Sequence, residues 1–162
     1  MIFEFPSQWK VSKFDDWSFY RQHFQKCAES KAVDILAIEP NKTCLWLIEI
    51  KDYRQYRRTK AAELPDEIAI KVRDTLAALV AAKVNANNPT EKSFAKAALS
   101  CCQLKIVLHL EQPAKPSKLF PKPFNPPHVR QRLKQLIKAI DAHPKVLART
   151  RMAQVDWRVK EK

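Results

Sequence analysis

The chain has 162 residues, 46% of them hydrophobic, with 30 Lys and Arg against 17 Asp and Glu, a formal charge of +13, eleven prolines and no glycine. The apolar content excludes wholesale disorder, and the missing glycine excludes a GxGxxG dinucleotide loop, a GxxxxGK[ST] phosphate loop and a GxSxG nucleophile elbow. A positive excess of this size points to a polyanionic partner, nucleic acid foremost.

Residues 14–29 carry Trp17, Tyr20 and Phe24 at helical spacing, which predicts a first helix capped by Asp15 or Asp16, its aromatic stripe facing the core. Residues 33–38 predict a short apolar strand. Pro40 and Asn41 predict a four-residue turn over 39–42. Residues 43–51 predict a second strand, apolar on both faces until its end and therefore central. The two read as an antiparallel hairpin in which Ile38 pairs with Thr43 and Asp34 lies opposite Leu47. The stretch 52–64 is polar and basic. Pro65 then precedes a long helix over 66–87, with Asp66 and Glu67 near its positive dipole end and Val72, Leu76, Leu79 and Lys83 along one face. Asparagines at 85, 87 and 88 stand where glycine commonly ends a helix. A shorter helix over 91–100 and a third strand over 104–110 follow.

Residues 113–127 hold six prolines and three lysines and predict a stiff extended segment. A helix over 127–141 places Val129, Leu133, Leu136, Ile137 and Ile140 at helical spacing, a core stripe or a homodimer surface. Residues 146–147 and 152–159 predict terminal strands. The order describes one α/β domain with a central mixed β-sheet and helices on both faces, its core over about 14–110 and a C-terminal elaboration over about 111–162. The cysteines lack CxxC spacing and read as reduced thiols in a cytoplasmic protein. No segment reads as a signal peptide or a membrane span.

Three charged residues lie in the apolar hairpin: Asp34, Glu49 and Lys51. Alternation along a strand puts Glu49 and Lys51 on one face, and the hairpin register brings Asp34 to the same face. Two carboxylates placed together repel each other, and a divalent cation with oxygen ligands relieves the repulsion. Mg²⁺ or Mn²⁺ would be held by Asp34, Glu49 and the Ile50 carbonyl, with Lys51 orienting a water. The other reading of the trio is a salt-bridge cluster at the strand ends.

At these residues the chain resembles the PD-(D/E)XK nuclease superfamily, the restriction-endonuclease-like fold. Asp34, fourteen intervening residues and then Glu49-Ile50-Lys51 match its pattern of an Asp on one strand and Glu/Asp-x-Lys on the next. Val33 stands where the family name has proline. The resemblance implies a metal-dependent DNA nuclease, a phosphodiester hydrolase of the repair, recombination or mobile-element kind. Asp34, Glu49 and Lys51 would be catalytic, with Glu29 the nearest added acid from the first helix and Asp15 and Asp16 behind it. The alternative is a non-catalytic nucleic-acid-binding or adaptor protein on the same fold. Tyr53, Arg54, Arg57, Arg58 and Lys60 follow the trio and read either as a phosphate-gripping, base-stacking run or as a solvated loop. Lys115, Lys118 and Lys122 extend that track, and Arg130, Arg132, Lys134 and Lys138 form a second basic patch.

Overall fold

The computed structural model describes every residue except 28, 56, 57, 60, 116–122 and 162. The strands are β1 (Ile2–Glu4), β2 (Lys10–Lys13), β3 (Ile35–Ile38), β4 (Cys44–Asp52), β5 (Gln103–Glu111), β6 (Lys145–Leu147) and β7 (Arg158–Lys160). The helices are α1 (Ser18–Gln22), α2 (Leu64–Asn85), α3 (Pro89–Ala98) and α4 (Pro126–Ile137). Five strands form one sheet in the order β2-β3-β4-β5-β6, while β1 and β7 pair as a separate ribbon. The β2–β3 and β3–β4 pairs are antiparallel, and β4–β5 and β5–β6 are parallel. The parallel β4–β5 step needs a long crossover, which α2 and α3 supply.

The fold is therefore α/β around a mixed sheet flanked by helices. A restriction-endonuclease-like arrangement is a finer statement than these strands make. The helices lie on one face of the sheet rather than on both. There Leu36, Ile38, Leu45, Leu47, Ile106 and Leu108 pack against Ile68, Val72 and Leu79 of α2, Ala95 of α3 and Leu133 and Ile137 of α4. The opposite face is covered by chain ends. Ile35, Ala37, Trp46, Ile48 and Val107 meet Trp157 and Val159, with Phe3, Phe5 and Trp9 against them. Trp157 is ringed by Trp9, Trp46 and Phe5 at centroid distances of 6.0, 5.1 and 5.4 Å. Strands β1 and β2 escaped the sequence reading because each has three or four residues, too few to establish a period.

The hairpin register departs from expectation by an even step. Ile38 pairs with Leu45 and Ile35 with Ile48, so one residue further back Asp34 comes opposite Glu49, not Leu47. The turn sits one residue later than predicted: the Glu39 N–H donates to the Cys44 carbonyl at 3.0 Å. A shift of two leaves every side chain on its face. Within the turn Asn41 and Lys42 adopt φ of 59° and 56°, the left-handed region that glycine would occupy at least cost. Glu39 secures the turn by accepting from Thr43 Oγ1 at 2.8 Å and from Trp46 Nε1 at 2.7 Å. The Asn85–Asn88 run contains no positive φ. Asn88 instead caps α3, its side chain accepting from the Thr90 and Glu91 N–H groups.

The predicted aromatic helix is broken into a 3₁₀ turn at Phe14–Asp16, α1 and a second 3₁₀ turn at Phe24–Lys26. Phe14, Trp17 and Tyr20 are buried, so the stripe is core. Neither Asp15 nor Asp16 caps α1. Glu91 does so from α3: its carboxylate accepts from Ser18 N at 2.7 Å, Ser18 Oγ at 2.9 Å and Phe19 N at 3.0 Å. A cap contributed across 73 positions has no local sequence signature.

Two outcomes follow. Glu91→Ala removes the acceptor for two helix-end N–H groups and is expected to cost about 1–2 kcal/mol, read as a lower urea midpoint with faster amide exchange at Ser18 and Phe19. Burial, with Glu39 beside it, pushes the Cys44 thiol up to about 12. Iodoacetamide at pH 8 should therefore label exposed Cys27 and Cys102 at least 100-fold faster than Cys44, since the thiolate is the nucleophile; mass spectrometry of the labelled peptides measures the ratio.

Candidate functional site

The charged residues of the hairpin meet α2. Side chains of β4 alternate, with Leu45, Leu47, Glu49 and Lys51 turned toward the helices and Trp46 and Ile48 away. Helix α2 answers with Glu67 and Lys71, four residues apart and thus on one side of the helix. Lys71 Nζ donates to Glu49 Oε1 at 2.6 Å, and Lys51 Nζ lies 2.8 Å from the same oxygen and 3.1 Å from Glu67 Oε1. Arg58 approaches Glu67 Oε2 at 2.8 Å. Glu49 and Glu67 are 1% and 3% exposed, so these are interior ion pairs.

Asp34 performs a different task. Strand β3 begins at Ile35, so the Ile50 N–H lies beyond the ladder, and Asp34 Oδ2 accepts it at 2.6 Å. The Asp34 carbonyl accepts from Phe14 N at 3.0 Å. Thr75 of α2 anchors the neighbouring backbone, its hydroxyl oxygen accepting from Val33 N at 3.0 Å. Asp34, Glu49 and Glu67 thus face Lys51, Lys71 and Arg58, and the group is formally neutral.

The electrostatics follow from burial and pairing. Burial raises the Glu49 carboxyl, Asp34 adds to the rise, and Lys71 and Lys51 oppose it. Burial pulls the Lys51 ammonium down, but Glu49 and Glu67 outweigh it and hold it above the ordinary lysine value. Among the first acidic residues it is Asp15 that feels Asp34: burial raises its carboxyl first, then the Asp34 charge. Glu29 is exposed, in a left-handed turn at φ 54°, and makes no contact with the trio among the described residues. Glu49 Oε2 is buried with no hydrogen-bond donor among the described residues. Among the described residues, no group of three or more His, Cys, Asp and Glu side chains could hold a metal ion. Mg²⁺ at Asp34, Glu49 and the Ile50 carbonyl would have to compete with two ammonium groups for Glu49.

Where it is described, the basic run after β4 is paired with acids and polar groups of this chain. Arg54 reaches Asp52 and Glu161, each at 2.7 Å. Arg58 also donates to the Tyr53 hydroxyl at 3.2 Å and to the Ala62 carbonyl. Tyr53 packs at a tilt against Phe124, with ring centroids 5.3 Å apart. Arg57, Lys60, Lys118 and Lys122 lie outside the described residues.

The charge excess sits elsewhere. Residues 112–162 hold thirteen of the 30 Lys and Arg but three of the 17 Asp and Glu, so ten of the thirteen net charges lie after β5. Of the acids there, Asp141 is buried and accepts from Ile106 N and His143 N at 2.8 Å each. The exposed side of α4 carries Arg130, Arg132, Lys134 and Lys138. Arg132 leans on Asp66 at 3.3 Å. The helix stripe of Leu133, Leu136, Ile137 and Ile140 belongs to the core of this chain, which leaves no apolar face on α4 for the homodimer contact that the spacing allowed.

Comparison with known proteins then decides between readings. No family model matches the chain, and no solved structure matches it. The chain is similar to part of a cysteine–tRNA ligase. That protein, from Neisseria meningitidis serogroup A, is 37% identical over 152 residues, spanning 75% of this chain and 22% of the ligase. The chain therefore covers about a fifth of the length of this curated relative.

The similarity overturns the PD-(D/E)XK nuclease resemblance and what it implied: a phosphodiester hydrolase acting on DNA, or an adaptor on a nuclease fold. The relative is a ligase that acts on tRNA by name. The motif misled because an Asp and a Glu-x-Lys on adjacent strands satisfy two demands at once. They are the spacing of a metal site, and they are what a strand end needs to neutralise charges against a helix. Glu67 and Lys71 pair with the trio from α2, and their signal was legible as two charges on the stripe that continues through Thr75, Ala78 and Ala82.

The network makes a stability prediction. Lys51→Met leaves two buried carboxylates short of a partner and should cost on the order of 3 kcal/mol. Glu49→Gln in the same chain should recover part of this, a coupling of about 1 kcal/mol or more in a double-mutant cycle by urea denaturation. Strict additivity would show that the pair is not coupled.

Proposed function

We propose that the chain is a tRNA-binding accessory module associated with cysteine–tRNA ligation, and not the place where ligation occurs. The observation that carries the reading is the 37% identity to a segment amounting to 22% of a cysteine–tRNA ligase. The charge of +13 supports it, since tRNA is a polyanion and phosphate contacts supply most of the affinity in such complexes. The absence of glycine supports the accessory part, because glycine-bearing loops that let backbone N–H groups cradle a nucleotide phosphate are excluded.

In this reading Asp34, Glu49 and Lys51 are structural. Their charges are spent on each other, on Lys71 and Glu67, and on the Ile50 N–H. Mg²⁺ at these residues is no part of the proposal. A cytoplasmic site of action belongs to it. Among the described residues, no helix is long and apolar enough to cross a membrane.

The test is titration of the whole chain into labelled tRNA at several KCl concentrations. Binding should weaken by on the order of 10–100-fold between 50 and 200 mM salt, as expected for three or four released counterions. Absence of binding at 50 mM, or binding indifferent to salt, would overturn the proposal.

A further inference from the structure

We infer that the groove between α4 and the outer edge of β6 is the surface that takes the phosphate backbone of tRNA. This rests on the tRNA-binding reading and adds its location.

The groove measures about 500 Å³, and its polar lining is Arg130, Gln131, Lys134, His143, Lys145 and Gln154. Among the described residues it has no carboxylate in its lining. That distinguishes it from the other basic surfaces. Arg54 and Arg149 share Glu161, Arg132 meets Asp66, and Arg58 meets Glu67. Arg130, Lys134 and Lys145 form no ion pair among the described residues, and Lys145 makes only a 3.5 Å contact to Gln154. The nearest acid in sequence, Asp141, has both oxygens committed to backbone N–H groups and is buried. The three cations of the lining thus give the groove a positive field.

Its geometry suits a backbone. Arg130 and Lys134 are one helical turn apart, about 6 Å along the axis, and Pro127 in the turn before completes the same side. Strand β6 is terminal in the sheet order, so its outer edge has no strand partner among the described residues. Backbone N–H and C=O groups there, with the two glutamine amides, can meet phosphate oxygens and 2′-hydroxyls. A neighbouring groove of about 510 Å³ shares Pro127 and Val146 with the first and carries Arg151, but Glu111 and Glu161 also line it and Arg149 is paired with Glu161, so the carboxylate-free stretch ends at the first groove.

Among the described residues the lining holds no Phe, Tyr or Trp. Single-stranded nucleic acid is commonly gripped by stacking on such rings, and protein interfaces are anchored by them. Charge and amides without Phe, Tyr or Trp match paired RNA, which is met through phosphates and 2′-hydroxyls rather than base edges.

The experiment compares the full chain with R130Q/K134Q/K145Q and with R73Q/K83Q/K96Q, three exposed cations outside the groove. Binding to labelled tRNA is followed by fluorescence anisotropy from 50 to 200 mM KCl, with thermal melts confirming that both variants fold. The groove variant should bind at least tenfold more weakly at 100 mM, with its salt slope reduced by about 2–3. The control variant should stay within twofold in affinity. If the unaltered chain binds tRNA and the groove variant binds equally well, the location is wrong while the tRNA reading stands. If the unaltered chain does not bind tRNA, both fall. If a polyglutamate competitor displaces the chain as effectively as unlabelled tRNA, the groove is a general acid-polymer surface and the assignment to RNA is overturned.

Discussion

The organising constraint is the end of β4, where a central strand covered on both faces turns charged residues toward a helix. Glu49 cannot stay ionised there alone, because an uncompensated buried charge costs several kcal/mol. Lys51 and Lys71 compensate it, Glu67 compensates Lys51, and Arg58 closes the chain of pairs. Such networks add little net stability compared with apolar packing, but they penalise any other placement of their members. This one specifies how α2 docks on β4, and with it the start of the crossover to β5.

From that docking the C-terminal half takes its place. Helix α4 packs in the same core as α2, with Val129, Leu133 and Ile137 buried beside Leu47 and Leu79. Strand β6 adds to β5 with Val107 opposite Lys145. Because α4 buries one side and β6 pairs along one edge, their remaining surfaces converge on a groove facing solvent. Interior charges hold the fold together in neutral groups. The surplus positive charge, which the interior cannot use, gathers at this periphery, where a polyanion can reach it.

Function was less legible than fold. The hairpin, α2, α3, β5 and α4 all announced themselves through periodicity, since side chains repeat every two residues in a strand and every 3.6 in a helix. Asp34, Glu49 and Lys51 were equally visible, but their meaning depended on what faced them. Glu67 lies 16 residues from Lys51 and Lys71 lies 22 from Glu49, and spacing within a strand carries no information about such a neighbour. Likewise Arg54 and Arg58 read as open cations until Glu161 and Glu67 are placed beside them.

The sequence by itself determined three things: an α/β chain, the face on which each residue of the β3–β4 hairpin points, and a formal charge of +13. These depend on local periodicity and on composition, which need no tertiary contacts. Only the tertiary structure decided that helices cover one face of the sheet and tryptophans the other, that the hairpin register is two residues on, that Glu91 caps α1, and which cations are spent and which are free. Each of these depends on a contact between residues far apart in the chain, and a long-range contact leaves no period to read.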